Sequence, residues 1–428
     1  MLVRRLLKTV LIVLALLAVL VALGPAILST GPGRALVEGY LASRLGGRKV
    51  SIERLDVGWM SGVDVEEMVI SERPGFGDDP FIAVGGVRFP NSLFSLLGSD
   101  ARLDALTVTD LRVSVVRLID GRTSTDDLRD KSDGAAAGVR QASVVAADVG
   151  EAGTGRTLPG WTLPVLLKGG RVHFADRKFR TEALVEDLEV TAAYQKGRID
   201  ITEGRGRLNG GTLTFAGQVD LASRPEAFEM TVAVAGSKVS SDLSGLRLPL
   251  LGYLFPPLFN PLGTTSGMLN LDASVTGRGF DRASLESDLA GESRLEVRDL
   301  RIEGSESMKV ITDWLSGRLK LSQDALAFDA LTAEGRIGDG RVRSDRIRAW
   351  HGNDFAMLMS GETDFDGRLD YRMSFEGDKV EKYLGPAQPL LVLLLRGTLE
   401  RPRIDVGLPG SKEGVIDTIR DWIDRALK

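Results

Sequence analysis

A chain of 428 residues with a formal net charge of −5 has ample length to bury a core and no basic surface suited to nucleic acid. Aromatics at 6% are too sparse for a base-stacking platform, and the lack of Cys removes disulfides, thiolate catalysis and zinc–sulfur sites. The 50 glycines fall largely between alternating runs, as a meander with many turns requires.

Arg4, Arg5 and Lys8 precede a long apolar run, and no charge occurs from Thr9 to Gly33. Leu6 to Leu28 is long enough to cross a hydrocarbon core of about 30 Å as a helix. The cationic start keeps the N-terminus cytoplasmic and sends the rest of the chain across the membrane. A cleaved signal peptide is the competing reading, because Val10 to Leu23 has signal-core length and Gly24-Pro25-Ala26 offers small residues. Apolar residues continuing to Leu28 without a clean A-x-A site favour an uncleaved anchor. Both readings put the remainder outside the cytoplasm, which in a bacterium is the periplasm.

Arg34 to Leu45 is predicted as a short amphipathic helix, with Leu36, Tyr40, Leu41 and Leu45 on one face and Gly46-Gly47 as its stop. Strand patterns follow in "KVSIERLDVGW", "VDVEEMVIS" and "FIAVGGVRFP". A small helical piece, "NSLFSLL", comes next. In the long "ARLDALTVTDLRVSVVRLIDGR", Leu106, Val108, Leu111, Val113 and Val115 alternate with polar residues. From Lys131 to Pro159 the chain turns Ala/Gly/Ser-rich without a sustained period, the texture of a linker or long loop.

Strands resume after the linker. In "GGTLTFAGQVDL", Leu213, Phe215, Val219 and Leu221 point one way while Thr212, Thr214, Gln218 and Asp220 point the other. Leu246 to Leu262, "LRLPLLGYLFPPLFNPL", carries no charge after Arg247 and contains four prolines, so it suits neither a strand nor a regular helix. Leu251, Phe255 and Phe259 make it a candidate membrane or groove-end contact as much as a buried loop. Further strands include "SGMLNLDASVTGRG", with Leu269 and Leu271, and "ESRLEVRDLRIEG", with Val297. A helix is predicted near Ser307 to Ser316, and "EKYLGPAQPLLVLLLRG" reads as a broken apolar helix. The C-terminal "SKEGVIDTIRDWIDRALK" has a helical stripe through Ile419, Trp422 and Ile423, suited to a membrane interface or to capping the sheet.

Roughly twenty strands without alternating long helices predict a mainly β fold, built as an antiparallel meander. A β-sandwich or barrel would cover the oily faces with other strands, whereas an open bent sheet would leave them lining a groove. The predicted organisation is an anchor over 1–30, a β region over 31–130, a linker over 131–160, a second β region over 161–408 and an amphipathic helix over 409–428.

Chemical motifs are lacking. His173 and His351 stand in separate strand-like segments without metal-ligand spacing, so no metal site or cofactor is expected. "GRGRLNGG" departs from G-x-G-x-x-G and precedes strands rather than a helix, which argues against a dinucleotide site. The expectation is a protein that is not an enzyme.

The ordered set "LASRLGGRKVSIERLDVGWMSGVDVEEMVIS", "PFIAVGGVRF" and "ARLDALTVTDLRVSVVRLIDGRTSTDDL" resembles the N-terminal region of AsmA-like proteins. Asp120-Gly121-Arg122 and Leu128 match that family's strand ending, while Ser124 stands near its usual Asn. "GGRVHFAD", "LNGGTLTFAGQVDL", the run from Ser266 to Gly304 and "DFDGRLDYRMSFEG" resemble its C-terminal region. The resemblance implies a bacterial envelope protein of the AsmA, TamB and YhdP type, anchored in the inner membrane. It further implies a long, curved, taco-shaped β-groove linked to glycerophospholipid movement and outer-membrane homeostasis. On that basis Leu106, Val108, Val113, Val115, Leu213, Phe215, Val219, Leu269, Leu271 and Val297 are expected to line the groove, with membrane lipids and an outer-membrane or envelope protein as partners. The alternative from another class is a scaffold factor that binds outer-membrane protein clients through sheet edges and carries no lipid.

Overall fold

A computed structural model describes residues 28–92, 95, 102–120, 122–126, 160–177, 181–240, 263–279, 284, 287–304, 326–384, 392–398 and 401–407. The proposed membrane segment to residue 27, most of the linker, Leu246–Leu262 with Leu251, Phe255 and Phe259, the helix near Ser307, and the C-terminal helix with Ile419, Trp422 and Ile423 lie outside the described residues. Among the described residues no helix is long and apolar enough to cross a membrane. The protein is mainly β, with eighteen strands and two helices in the described part. It divides into two compact units, Met1–Met230 with Arg278–Asp281, and Thr231–Gly277 with Arg282–Lys428.

In the first unit, α1 (Gly31–Arg44) starts at Thr30, whose side chain accepts the Gly33 N–H, with a proline in its first turn. It lies along β1 (Val50–Gly58) and bonds that strand's backbone with its side chains. The Glu38 carboxylate accepts the Ile52 N–H at 2.8 Å and the Arg34 guanidinium donates to Glu53 O. Val37, Leu41 and Leu45 are buried beneath. These bonds give backbone groups of β1 partners that a bare strand edge lacks.

β1 pairs antiparallel with β2 (Gly62–Ile70), and β2 with β3 (Ile82–Phe89). β3 pairs with the short β4 (Leu106–Thr109) and β5 (Arg112–Arg117). Both of these run parallel to β6 (Thr162–Asp176), so strands on either side of residues 127–159 share one sheet. β7 (Thr181–Gln195), β8 (Arg198–Leu208) and β9 (Gly211–Asp220) continue it as a meander. β10 (Ala227–Ser240) runs past the division at Met230.

These strands slip phase in the middle yet keep their apolar residues on one face. β1 and β2 each interrupt their alternation of buried and outward residues with two consecutive exposed ones, at Glu53-Arg54 and Glu66-Glu67. β7 repeats the device at Val185-Glu186-Asp187-Leu188, where the pairing shifts and Asp187 adopts φ 49°. An extra outward residue is a bulge: it bends the strand and restores the alternation beyond it.

The second unit is a meander of β11 (Gly263–Arg278), β12 (Ala290–Gly304), β13 (Leu326–Gly338), β14 (Arg341–His351), β15 (Phe355–Asp364), β16 (Arg368–Glu376), β17 (Val392–Thr398) and β18 (Arg401–Gly407). The helix α2 (Asp378–Leu384) buries Val380. Registered pairs give an apolar row, Leu271–Leu295–Ala333–Ile347–Met359–Met373–Leu393, whose members are all buried. The broken helix predicted over 381–397 is instead α2 followed by β17. Pairing of Leu393 with Met373 and of Leu395 with Tyr371 overrides the helix propensity of leucine.

Tyr371 is fully buried, its ring against Gly361 on β15 and its hydroxyl 3.0 Å from that of Thr363. Burial pushes its pKa up to about 12. Tyr371→Phe is expected to lower stability by about 1 kcal/mol, because the Thr363 hydroxyl loses a partner in a dry site. A lowered urea midpoint with an unchanged slope checks this.

Candidate functional site

Pairing in the first unit assembles an apolar row across six strands: Val87–Val108–Leu167–Val190–Gly204–Phe215. A second row runs Leu106–Val165–Ala192–Ile201–Gly217 and a third Val113–Val172–Val185–Leu208–Gly211. Within β6–β9, Val165, Leu167, Val172, Leu188, Val190, Ile201, Leu213 and Phe215 are only half-buried. An oily face retaining contact with water over four strands is the outstanding surface feature of this unit.

Its relief comes from glycine. On β8 and β9 the facing pairs are Ile201/Gly217, Gly204/Phe215, Gly206/Leu213 and Leu208/Gly211, each a large side chain opposite none. The Phe215 ring lies over Gly204, where a Cβ would fall within the ring. The reverse of these strands is charged and exposed, with ion pairs at Arg171–Glu186 (2.7 Å), Arg205–Glu189 (2.6 Å) and Arg207–Asp187 (2.6 Å). One face offers only dispersion and hydrophobic contact, and the other holds the sheet in water.

The residues expected to line a groove fall into three groups. Val108, Leu213 and Phe215 are half-buried members of the open face. Leu106, Val113, Val115 and Val219 belong to the same face and are buried. Leu269, Leu271 and Val297 sit together in the second unit and are buried to 1% exposure or less. Sequence periodicity missed Val165, Leu167, Val190 and Ile201 as site residues, although "LPVLLKGGRV", "EALVEDLEVTAAY" and "GRIDITEG" carry their alternation.

The first unit also holds a buried charged cluster. Arg48 and Glu72, with side chains 1% and 3% exposed, pair at 3.1 Å. The Arg48 guanidinium donates to Ser124 O and lies 3.9 Å from the Phe81 ring centroid. Glu72 also accepts the Arg73 N–H at 2.7 Å, and Arg73 donates to Thr123 O at 2.6 Å. Burial nevertheless raises the Glu72 pKa, opposed by the Arg73 amide and the Arg48 charge. Asp120 of the Asp-Gly-Arg motif accepts from Arg122 through backbone N (3.0 Å) and Nε (2.7 Å), which lowers its pKa. The histidines lie apart, His173 beside Glu182 (3.6 Å) and His351 beside Asp329 (3.1 Å).

The chain is 21% identical over 154 residues to Protein AsmA of Escherichia coli (strain K12). The match covers 36% of this chain and 22% of the relative, so it spans under a quarter of that protein's length. No family model and no solved structure matches.

Proposed function

We infer that the chain is an envelope protein, anchored in a bacterial inner membrane by Leu6–Leu28, that holds or conducts phospholipid acyl chains on the apolar face of β6–β9. The half-buried rows through Leu167, Val190, Ile201 and Phe215 carry this reading. At about 4.8 Å between strands, the row from Val87 to Phe215 extends about 24 Å, more than the ~15 Å depth of one hydrocarbon leaflet. A tail laid across it leaves water at about 0.8 kcal/mol per buried methylene, and it meets no polar side chain that must be desolvated. The headgroup stays outside, so no headgroup-binding residue is required. The low similarity to Protein AsmA and the charge-free run from Thr9 to Gly33 lend independent support.

Mass spectrometry of the full chain, extracted in mild detergent, is the direct test. Glycerophospholipid at one molecule per chain or more is the expected result. A chain that retains no lipid overturns the reading and leaves a protein scaffold, which would use the same face for a client segment.

A further inference from the structure

One end of the first unit's sheet gathers aromatic and apolar side chains beside the β7–β8 turn with its Lys196 and Arg198, and the chain enters the unit there. Register defines that end: Val57 faces Val63 and Val63 faces Phe89, whereas Val50, Ile70 and Ile82 align at the other. The β1–β2 turn at the first end exposes Trp59 to 44% and Met60 to 76%, and no charged residue lies between Asp56 and Asp64. The turn is built to hold this shape, with Gly62 at φ 84° under the Phe89 carbonyl and Ser92 Oγ donating to Trp59 O at 3.0 Å. The Trp161 and Tyr194 rings, 4.9 Å apart, occupy the same end, because Leu106 leads from the β3 end to Val165 near the start of β6. Tyr194 continues the apolar face, paired between Leu163 and Ile199.

The approach of the chain fixes what this end meets. Ser29 Oγ accepts the Val57 N–H at 2.9 Å and donates to Val57 O at 3.3 Å, and Leu28 is buried. Val57 stands two residues from Trp59, at most about 7 Å of chain. The charge-free run therefore reaches the sheet beside the exposed turn. We propose that the end of the sheet bearing Trp59, Met60, Trp161 and Tyr194 rests on the phospholipid bilayer, so that the apolar face of β6–β9 opens at the hydrocarbon boundary. This rests on the reading of Leu6–Leu28 as an anchor and of the apolar face as a lipid site. Tryptophan and tyrosine suit that depth, with an apolar ring and a polar edge, and exposed Met60 would sit just below it. A tail then passes between leaflet and sheet without crossing water.

The chain has no cysteine, so a single introduced thiol reports one place. Met60→Cys and Ile119→Cys, both at exposed turns, place a fluorophore at opposite ends: β5 runs from the level of Ile82 away from the Trp59 turn, and Ile119 follows it. Each labelled full chain is reconstituted into phosphatidylcholine–phosphatidylglycerol vesicles carrying nitroxide lipids. Quenching at position 60 is expected to exceed that at 119 by about threefold or more, as for a group at the headgroup boundary against one in water. Equal, weak quenching at both sites in a chain that floats with the vesicles overturns the seating and leaves the anchor standing. A chain that does not float overturns the anchor and the seating together, and lipid retained in the extracted protein separates either failure from that of the lipid site.

Discussion

Phe215→Asp is expected to strip bound phospholipid from the extracted chain by about tenfold or more while the protein stays folded. The ring is half-buried, caps the space above Gly204 and sits at the β9 end of the longest open row. A carboxylate there places a charge where an acyl chain must pass, and charges in hydrocarbon cost about 2.5–3.5 kcal/mol even on permissive scales. The fold loses less, about 1–2 kcal/mol, because the side chain is only partly removed from water and the new carboxylate can stay wet. Leu271→Asp is the contrast. Leu271 is 1% exposed within the closed row of the second unit, so a carboxylate there has no water to reach and should unfold that unit. Lipid mass spectrometry and circular dichroism on both variants separate the two roles. Normal lipid content in folded Phe215→Asp would remove this row from the lipid path.

The same contrast shows what alternation could and could not reveal. Leu213, Phe215, Leu269 and Leu271 look alike in sequence, each a large apolar residue with a polar residue beside it in an alternating run. They differ in what covers them, which depends on distant chain and not on the strand itself. The strand faces were legible, including across the bulges. An apolar residue, two charged ones and another apolar residue recur at Ile52–Leu55, Val65–Met68, Val185–Leu188 and Val297–Leu300. In each the doublet points outward and the apolar pair stays on one face. The parallel docking of β4 and β5 on β6 was not legible, since no local pattern distinguishes a parallel from an antiparallel neighbour. β17 was misread because four consecutive apolar residues fit a buried strand and a helix equally well, and pairing with β16 decides.

The Arg48–Glu72 pair was equally hidden, for "GGRKVS" and "ISERPG" carry no mark of burial, and removing one member alone gives a large expected loss of stability. Arg48→Met should lower the stability of the first unit by about 3–5 kcal/mol, the usual cost of leaving one member of a buried ion pair without its partner. It also removes the donor to Ser124 O and the cation over Phe81, through which the end of β1 is tied to the loop after β5. Arg48→Met combined with Glu72→Met should recover much of that loss, because no uncompensated charge then remains. The pH dependence follows from the raised Glu72 pKa. Its first cause is burial, so the folded protein binds this proton more tightly than the unfolded chain does. Between the ordinary glutamate pKa of about 4.3 and the raised folded value, the folded state carries the excess proton, and stability contributed by this group falls as pH rises. Glu72→Gln abolishes that slope. Urea midpoints measured from pH 4 to pH 7 should therefore show wild type losing ground to Glu72→Gln as the pH climbs. A rise of wild type relative to the variant would mean that the Arg48 charge outweighs burial, and the cluster would then act as an ordinary stabilising ion pair.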